Sequence, residues 1–332
     1  MPSLILDRAR TYLLPIFVLV TTWILIASTT PTFRGEASVF SVLEGFPLLG
    51  LVALGLAITI IAGELDLSVG SVAALAGVVA VKTASTGLVG AIAIAVAMGA
   101  IIGSLQGWVI ARLAINSLVL TVGTLILLRG VTYLASDNKP SQLADFTVSD
   151  PLIARHGIFS VSSITALIVF VLLGLFLAYT RYGREIYAIG GAREEARAAG
   201  VPRLRPMVLA FALSGGCAAL AGALASLKGG SAAPQNYEDL LLSGAAAALV
   251  GGISLYGGRG TVLNVALGVA VLSAVAAGLA SRGSDASVTQ LVTGALLITV
   301  VAIDFIAARL GRRSRLRRDA ARREALPPPA AA

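Results

Sequence analysis

The chain has 332 residues, 57% of them apolar and only 13% charged, with a mean hydropathy of +0.91 and a formal net charge of +8. Soluble domains average about 45–50% apolar and about 25% charged residues, so this is the composition of a bilayer protein. A single cysteine, Cys217, excludes a disulfide framework and a cysteine-based metal site, and a single histidine, His156 in a polar loop, leaves Ser–His chemistry almost nothing to work with; the arginines carry no interleaved aromatic pattern that would read nucleic acid.

Ten apolar segments follow in chain order, near 11–29, 47–62, 69–82, 88–110, 117–135, 158–179, 207–227, 238–256, 261–280 and 287–309. A bilayer-crossing helix needs about 20 apolar residues, so the expectation is an all-α polytopic protein of about ten spans. The first segment follows Arg8 and Arg10. It is too long for a signal-peptide core and lacks an A-x-A site, so it reads as an uncleaved helix. The second and third are short and separated by "GELDLSVGS" (63–71), which reads as a true interruption. Asp66 or Ser68 is placed to cap the helix that follows. Glu64, an acid beside an apolar span, is a functional candidate, or a side chain that simply reaches water. Small residues four apart, Gly99 with Gly103 and Ala218 with Gly222, let helices approach closely.

Between the sixth and seventh segments lies "RYGREIYAIGGAREEARAAGVPRLR" (181–205), with six arginines and three glutamates. Arg184–Ile189 reads as a short helix broken at Gly190-Gly191. A second, "AREEARAA", carries Glu194 and Glu195 in its first turn and Arg197 near its end, as the helix dipole favours, and Gly200 and Pro202 stop it. Ala192, Ala196 and Ala199 share one face, which offers a smooth surface suited to a groove on another protein. A solvated loop, or an arginine patch on anionic lipid, accounts for the composition equally well. With the N-terminus cytoplasmic, eighteen of the 25 Lys and Arg fall inside, among them this island and the basic tail, so the positive-inside rule places both termini and the island in the cytoplasm.

The spans hold few polar side chains. Asn116, Thr121, Thr124 and Arg129 are candidates for lining or gating a path, together with Glu64, Asp66, Ser68 and Ser254. No acid or histidine falls at mid-depth, since Asp304 is near a span end and Arg129 is in the outer half of its span. Proton-driven carriers usually need such groups, so the path suits a neutral solute moved by an external motor. No G-x-x-x-x-G-K-[ST] phosphate loop occurs, so that motor is another polypeptide, and no cofactor pattern is present. The chain reads as a transport subunit rather than an enzyme. "GGISLYGGRG" (251–260) echoes the first interruption, with Gly63, Leu65, Leu67 and Gly70 matching Gly251, Ile253, Leu255 and Gly258 at one constant offset. These lie six spans apart, whereas an inverted repeat needs an odd number, so the echo reads as shared turn chemistry.

Three motifs in order carry a family resemblance. Thr180, Arg181, Gly183, Arg184, Ile186, Tyr187, Ala188, Gly190, Gly191, Ala196, Arg197 and Gly200 resemble the cytoplasmic loop of permease subunits of bacterial ABC importers of the ribose-type monosaccharide branch. Ala192 stands where that branch has Asn, and Val201 where it has Ile. "AGELDLSVGS" resembles the family's G-G-I-D-L-S-V-G-S with Glu64 in place of Gly, and "GGISLYGGRGT" its G-G-x-S-L-x-G-G-x-G-x. The resemblance covers residues 50 to 305. It implies a multi-pass protein of the bacterial inner membrane, importing a monosaccharide-like solute by alternating access. It implies ATP-binding cassette subunits, an extracytoplasmic solute-binding protein, a second permease copy or paralogue, and surrounding lipid as partners, and no nucleic acid. Arg181, Gly183, Arg184, Tyr187, Gly190, Gly191, Glu194, Glu195, Ala196, Arg197 and Gly200 would then form the element that docks on the ATPase. The membrane part would be 1–310 and the basic, Pro-Ala-rich tail 311–332. A permease for branched-chain amino acids or nucleosides is the nearest alternative, and a secondary carrier of a neutral solute a further one.

Overall fold

A computed structural model describes residues 2–285, 287–299 and 302; Asp304 and the tail lie outside the described residues. The architecture is mostly helical. The helices are α1 (Pro2–Thr29), α2 (Glu36–Leu43), α3 (Leu51–Ile61), α4 (Val69–Lys82), α5 (Leu88–Leu113), α6 (Ser117–Ala135), α7 (Asp150–Ile153), α8 (Val161–Tyr179), α9 (Arg181–Gly191), α10 (Arg193–Ala198), α11 (Leu204–Lys228), α12 (Leu240–Val250), α13 (Val262–Ala280) and α14 (Ser287–Thr299). Four two-residue strands pair as β1 (Ser141–Gln142) with β4 (Ser231–Ala232), and β2 (Arg155–His156) with β3 (Phe159–Ser160).

Local chemistry sets several boundaries. Ser160 and Ser163 cap α8 reciprocally, and Thr261 and Asn264 do the same for α13. The Asn116 side chain accepts from Leu118 N at the start of α6, and Thr180 Oγ1 from Gly183 N at the start of α9. A single π turn at Phe46–Gly50, which contains Pro47, joins α2 to α3 in one 26-residue apolar helix. Among the described residues, six helices are long and apolar enough to cross a membrane: Glu36–Ile61, Leu88–Leu113, Ser117–Ala135, Val161–Tyr179, Leu204–Lys228 and Val262–Ala280. Four more apolar helices are shorter, Pro15–Thr29, Val69–Lys82, Leu240–Val250 and Ser287–Thr299. The eighth expected segment, 238–256, thus shrinks to α12, because both of its ends are irregular chain.

Helices α3, α4 and α11 form the centre, while α5, α6 and α8 turn residues such as Leu105, Ile126 and Val171 outward. Glycines permit the close crossings: a Cβ at Gly99, Gly103 or Gly222 would overlap the backbone carbonyl of Gly215, Phe211 or Ala73. The connections gather at two opposite ends. At one, Ile61 and the 190–191 and 257–258 turns meet, and Tyr12 OH lies 3.4 Å from Thr261 Oγ1. At the other, Lys82 pairs with Asp137 at 3.5 Å, Lys228 with Glu44, and Arg282 donates to Thr30 at 2.6 Å.

Helices α4 and α12 are structural counterparts. Both are short and preceded by irregular chain. Their N-termini meet where a Cβ at Gly70 would sit 2.8 Å from the Tyr237 carbonyl oxygen, and they run toward opposite ends of the molecule. Glu64, Leu67, Gly70, Ala73, Ala74, Leu75 and Gly77 match Glu238, Leu241, Gly244, Ala247, Ala248, Leu249 and Gly251 at one constant offset. The inverted pair is therefore the third and eighth apolar helices, an odd separation. The shorter echo between 63–70 and 251–258 pairs two turns at the same end.

Candidate functional site: two helix breaks and a polar island

The polar island is built onto the first break by backbone contact. Gly258 N donates to Ile61 O at 2.9 Å. A Cβ at Gly190 would overlap the same carbonyl, and one at Gly257 would sit 2.6 Å from Gly190 O. Tyr187 OH donates to Gly260 O at 2.7 Å, and burial pushes its phenol pKa up. The motifs 63–71, 181–191 and 251–260 therefore form one cluster at one end of the molecule. Side chains add Glu64 Oε1, which takes Arg193 at 2.8 Å, with Arg203 at 3.9 Å. These three line a cavity of about 410 Å³ with Asn116, Ser117 and Leu255. Glu64 thus does not simply reach water: its side chain is 10% exposed, between two arginines.

The sequence-predicted docking residues split into two groups. Arg181, Arg184, Gly191, Glu194, Glu195, Arg197 and Gly200 are exposed, with Arg181 bonded to Glu185 at 2.8 Å. Gly183, Gly190, Tyr187 and Ala196 instead pack against their own chain. The smooth alanine face is corrected here. Ala192 and Ala199 are exposed, but Ala196 is turned into the core of its own chain, because α10 folds back under Val201.

Between Gly63 and α4 the chain climbs back into the helix bundle, and Asp66 anchors it there. Asp66 Oδ1 accepts from Ser68 N at 3.0 Å and Ser68 Oγ at 2.6 Å, and Oδ2 from Ser214 Oγ of α11 at 2.8 Å. Gln106 of α5 donates to Ser68 Oγ at 2.9 Å. The expected cap is therefore a tertiary knot. Ser68 is the N-cap of α4 but its side chain caps nothing; Asp66 binds the loop at Ser68 and helix α11 at Ser214, and Ser68 links the knot to α5. Leu65 is held by Ser117 and Thr121 of α6, each at 3.4 Å. Thr124 bonds within its own helix, and Ser254 accepts from Tyr256 N in its turn.

The second break, residues 233–239, precedes α12. Helix α11 serves as a ruler: Ser214 is level with Asp66 and Gly222 with Ala73, so Gly70 and the Tyr237 backbone beside it sit near the midpoint of that 25-residue helix. Measured along α4, Gly70 lies about 18 Å of helix rise from Lys82. Glu238 and Asp239 follow directly and are exposed. Acids therefore do occur near mid-depth, contrary to the sequence expectation, because α12 begins deep in the bundle rather than at its surface. Arg129 belongs to this group, 3.4 Å from Glu238, and Gln290 donates to Asp239 at 2.9 Å. Tyr237 holds a left-handed φ of 70°, costly for an aromatic residue.

Residues 38–301 match the family described as the permease component of branched-chain amino acid transport systems. The chain belongs to that family. The permease is 30% identical over 296 residues to the ribose import permease of Bacillus subtilis (strain 168), covering 88% of this chain and 91% of that protein. It is 29% identical over 287 residues to the ribose import permease of Escherichia coli (strain K12), 84% and 89% respectively. Against the L-arabinose transport system permease of the same E. coli strain the identity is 32% over 262 residues, 77% and 78%. No solved structure matches it to significance. The chain is thus a transport component and not an enzyme.

Sequence reasoning about this permease missed Ser214, Gln106, Arg203 and the whole 234–239 segment. Ser214 and Gln106 carry no local signal, since each is one polar residue in an apolar helix. The Pro-Gln-Asn-Tyr-Glu-Asp run at 234–239 did carry one, but its polarity reads as an ordinary surface loop until the neighbouring helices fix its depth.

Proposed function

We propose that this chain is the membrane-spanning permease subunit of an importer for a monosaccharide-like solute, driven by separate ATP-hydrolysing subunits and supplied by an extracytoplasmic solute-binding protein. The observation that carries the reading is the α9–α10 island. It is strongly polar, is braced from behind by backbone contacts to both inner turns, and presents Glu194, Glu195 and Arg197 outward. A merely solvated loop needs no such bracing, and a rigid exposed rim suits docking on the ATPase. The chain crosses the bacterial inner membrane ten times, with both termini and the island in the cytoplasm, and works with a second copy or a paralogue. Residues 1–310 form the membrane part, and 311–332, outside the described residues, the basic cytoplasmic tail. Supporting the solute class, the relatives above are named for ribose and L-arabinose, although the family is described by branched-chain amino acids.

The reading is tested with the island itself. Exchanging Glu194 and Glu195 for Arg, or Arg197→Glu, is expected to remove the ATPase subunit from the co-purified assembly and to stop uptake, with the melting temperature of the permease unchanged. Full association and uptake in these variants rejects the docking role. Uptake is further expected to need ATP and to survive collapse of the proton gradient. Uptake into proteoliposomes by this chain alone, driven by a pH gradient, rejects the importer reading.

A further inference from the structure

The second break has a polar character that the packing of the chain does not explain. Two cavities flank it. The larger, about 460 Å³, is lined by Leu48, Gln235, Asn236, Glu238, Asp239 and Ser243. The smaller, about 20 Å³, lies between Ser71, Arg129, Asn236 and Glu238. At the first break Asp66, Ser68, Ser214 and Gln106 bond one another out of contact with solvent, whereas here two carboxylates are exposed near the midpoint of a helix bundle. Irregular backbone and ionised side chains at that depth are tolerated only against protein or a water-filled passage. The left-handed backbone at Tyr237, held by Ser226 bonding its hydroxyl at 2.9 Å, keeps the segment in this position.

We infer that residues 235–239 form a recognition station for a neutral, polyhydroxylated solute inside the transport path, an assignment that rests on the import reading above. The chemistry fits that class. A carboxylate accepts from two adjacent hydroxyls, and the amides of Gln235 and Asn236 both donate and accept, which a hydroxyl-rich ring uses fully. Arg129 and Gln290 orient Glu238 and Asp239 from α6 and α14. Two acids against one arginine leave a net negative site, which repels phosphorylated or carboxylate-bearing solutes. An amino acid carries such a carboxylate, whereas a sugar offers hydroxyls to the polar groups and a C–H face to Leu48, Tyr237 and Leu240. The station therefore selects a sugar-like solute over an amino acid.

The experiment uses the complete importer reconstituted with its ATPase and binding protein. Asn236→Cys and, separately, Ser243→Cys are introduced with Cys217→Ser, so that each carries one thiol. A charged, water-soluble methanethiosulfonate reagent is expected to label both positions and to stop uptake of labelled D-ribose. Saturating D-ribose is expected to slow the labelling. Asp239→Asn is expected to shift the ratio of D-ribose to L-arabinose uptake about fivefold, the effect of one altered hydrogen bond, while ATP hydrolysis continues. Absence of labelling at both positions, or labelling that leaves uptake intact, overturns the station and assigns this face to lipid or to a second copy. An unaltered importer that takes up leucine and neither sugar overturns the solute class, and that result is distinct because the labelling measures water access without reference to any solute.

Discussion

The two breaks, Gly63–Ser68 before α4 and 233–239 before α12, occupy equivalent places in an inverted pair, yet the carboxylate that anchors the first is closed off and the carboxylates of the second are open. At the first, Asp66 is buried and has three donors on it, from the loop and from α11. At the second, the matched stretch exposes Glu238 and Asp239 beside two cavities. The same local pattern, a small-residue helix entered from irregular chain, thus serves either as a structural joint or as a polar surface. What differs is burial: Asp66 is enclosed with its donors, whereas Glu238 and Asp239 meet Arg129 and Gln290 at an exposed face. In low dielectric a fully satisfied polar network is rigid, while an exposed one stays open to water or a ligand.

The largest test of that contrast is Asp66→Leu. It strands the Ser68 amide, the Ser68 hydroxyl and the Ser214 hydroxyl, so a loss of about 3 kcal/mol or more is expected, from about 1 kcal/mol per orphaned donor. Asp66→Asn keeps one acceptor oxygen for Ser68 and can donate its amide to Ser214 Oγ, so it should cost about 1 kcal/mol, and Asp239→Asn at the open break should leave stability unchanged. Thermal or denaturant unfolding in detergent reads all three, and equal losses at Asp66→Asn and Asp66→Leu would show that the charge, not the hydrogen bonding, holds the joint.

The matched glycines give the next contrast. A Cβ at Gly70 meets the Tyr237 backbone carbonyl at 2.8 Å, whereas one at Gly244 meets the tips of Val52 and Leu56 at 3.0 and 3.1 Å. Backbone cannot yield as side chains can. Gly70→Ala should therefore cost about 2 kcal/mol, within the overpacking range, and Gly244→Ala clearly less. A reversed order in the melting temperatures would break the proposed contact between the two breaks.

The smallest expected effect separates the two ion pairs. A double-mutant cycle on Glu64 and Arg193 should give a coupling of about 1 kcal/mol, since the Glu64 side chain is largely buried but Arg193 is 41% exposed. The cycle on Arg129 and Glu238, at 3.4 Å with both side chains more than a third exposed, should give about 0.5 kcal/mol or less. A stronger coupling at the open break would mean that Glu238 is closed off in the assembled protein.

The sequence by itself determined the apolar helices, because hydropathy over a window of some twenty residues is a local sum that needs no partner. It determined the interruption at 63–68, the helical character of 181–198 and the stop at Gly200, through turn and cap chemistry acting within a few residues, although α9 runs on through Gly190 and Gly191 to its cap at Ala192. Tertiary structure alone decided which way each polar side chain points and how deep each lies. Ala196 faces its own core because α10 folds back under Val201. Asp66 is a joint because Ser214, far along the chain, arrives at 2.8 Å. Glu238 lies at mid-depth because α12 begins opposite Gly70. Depth and partnership are properties of helix–helix packing, fixed by close backbone approach at glycines, and no window of a single segment contains them.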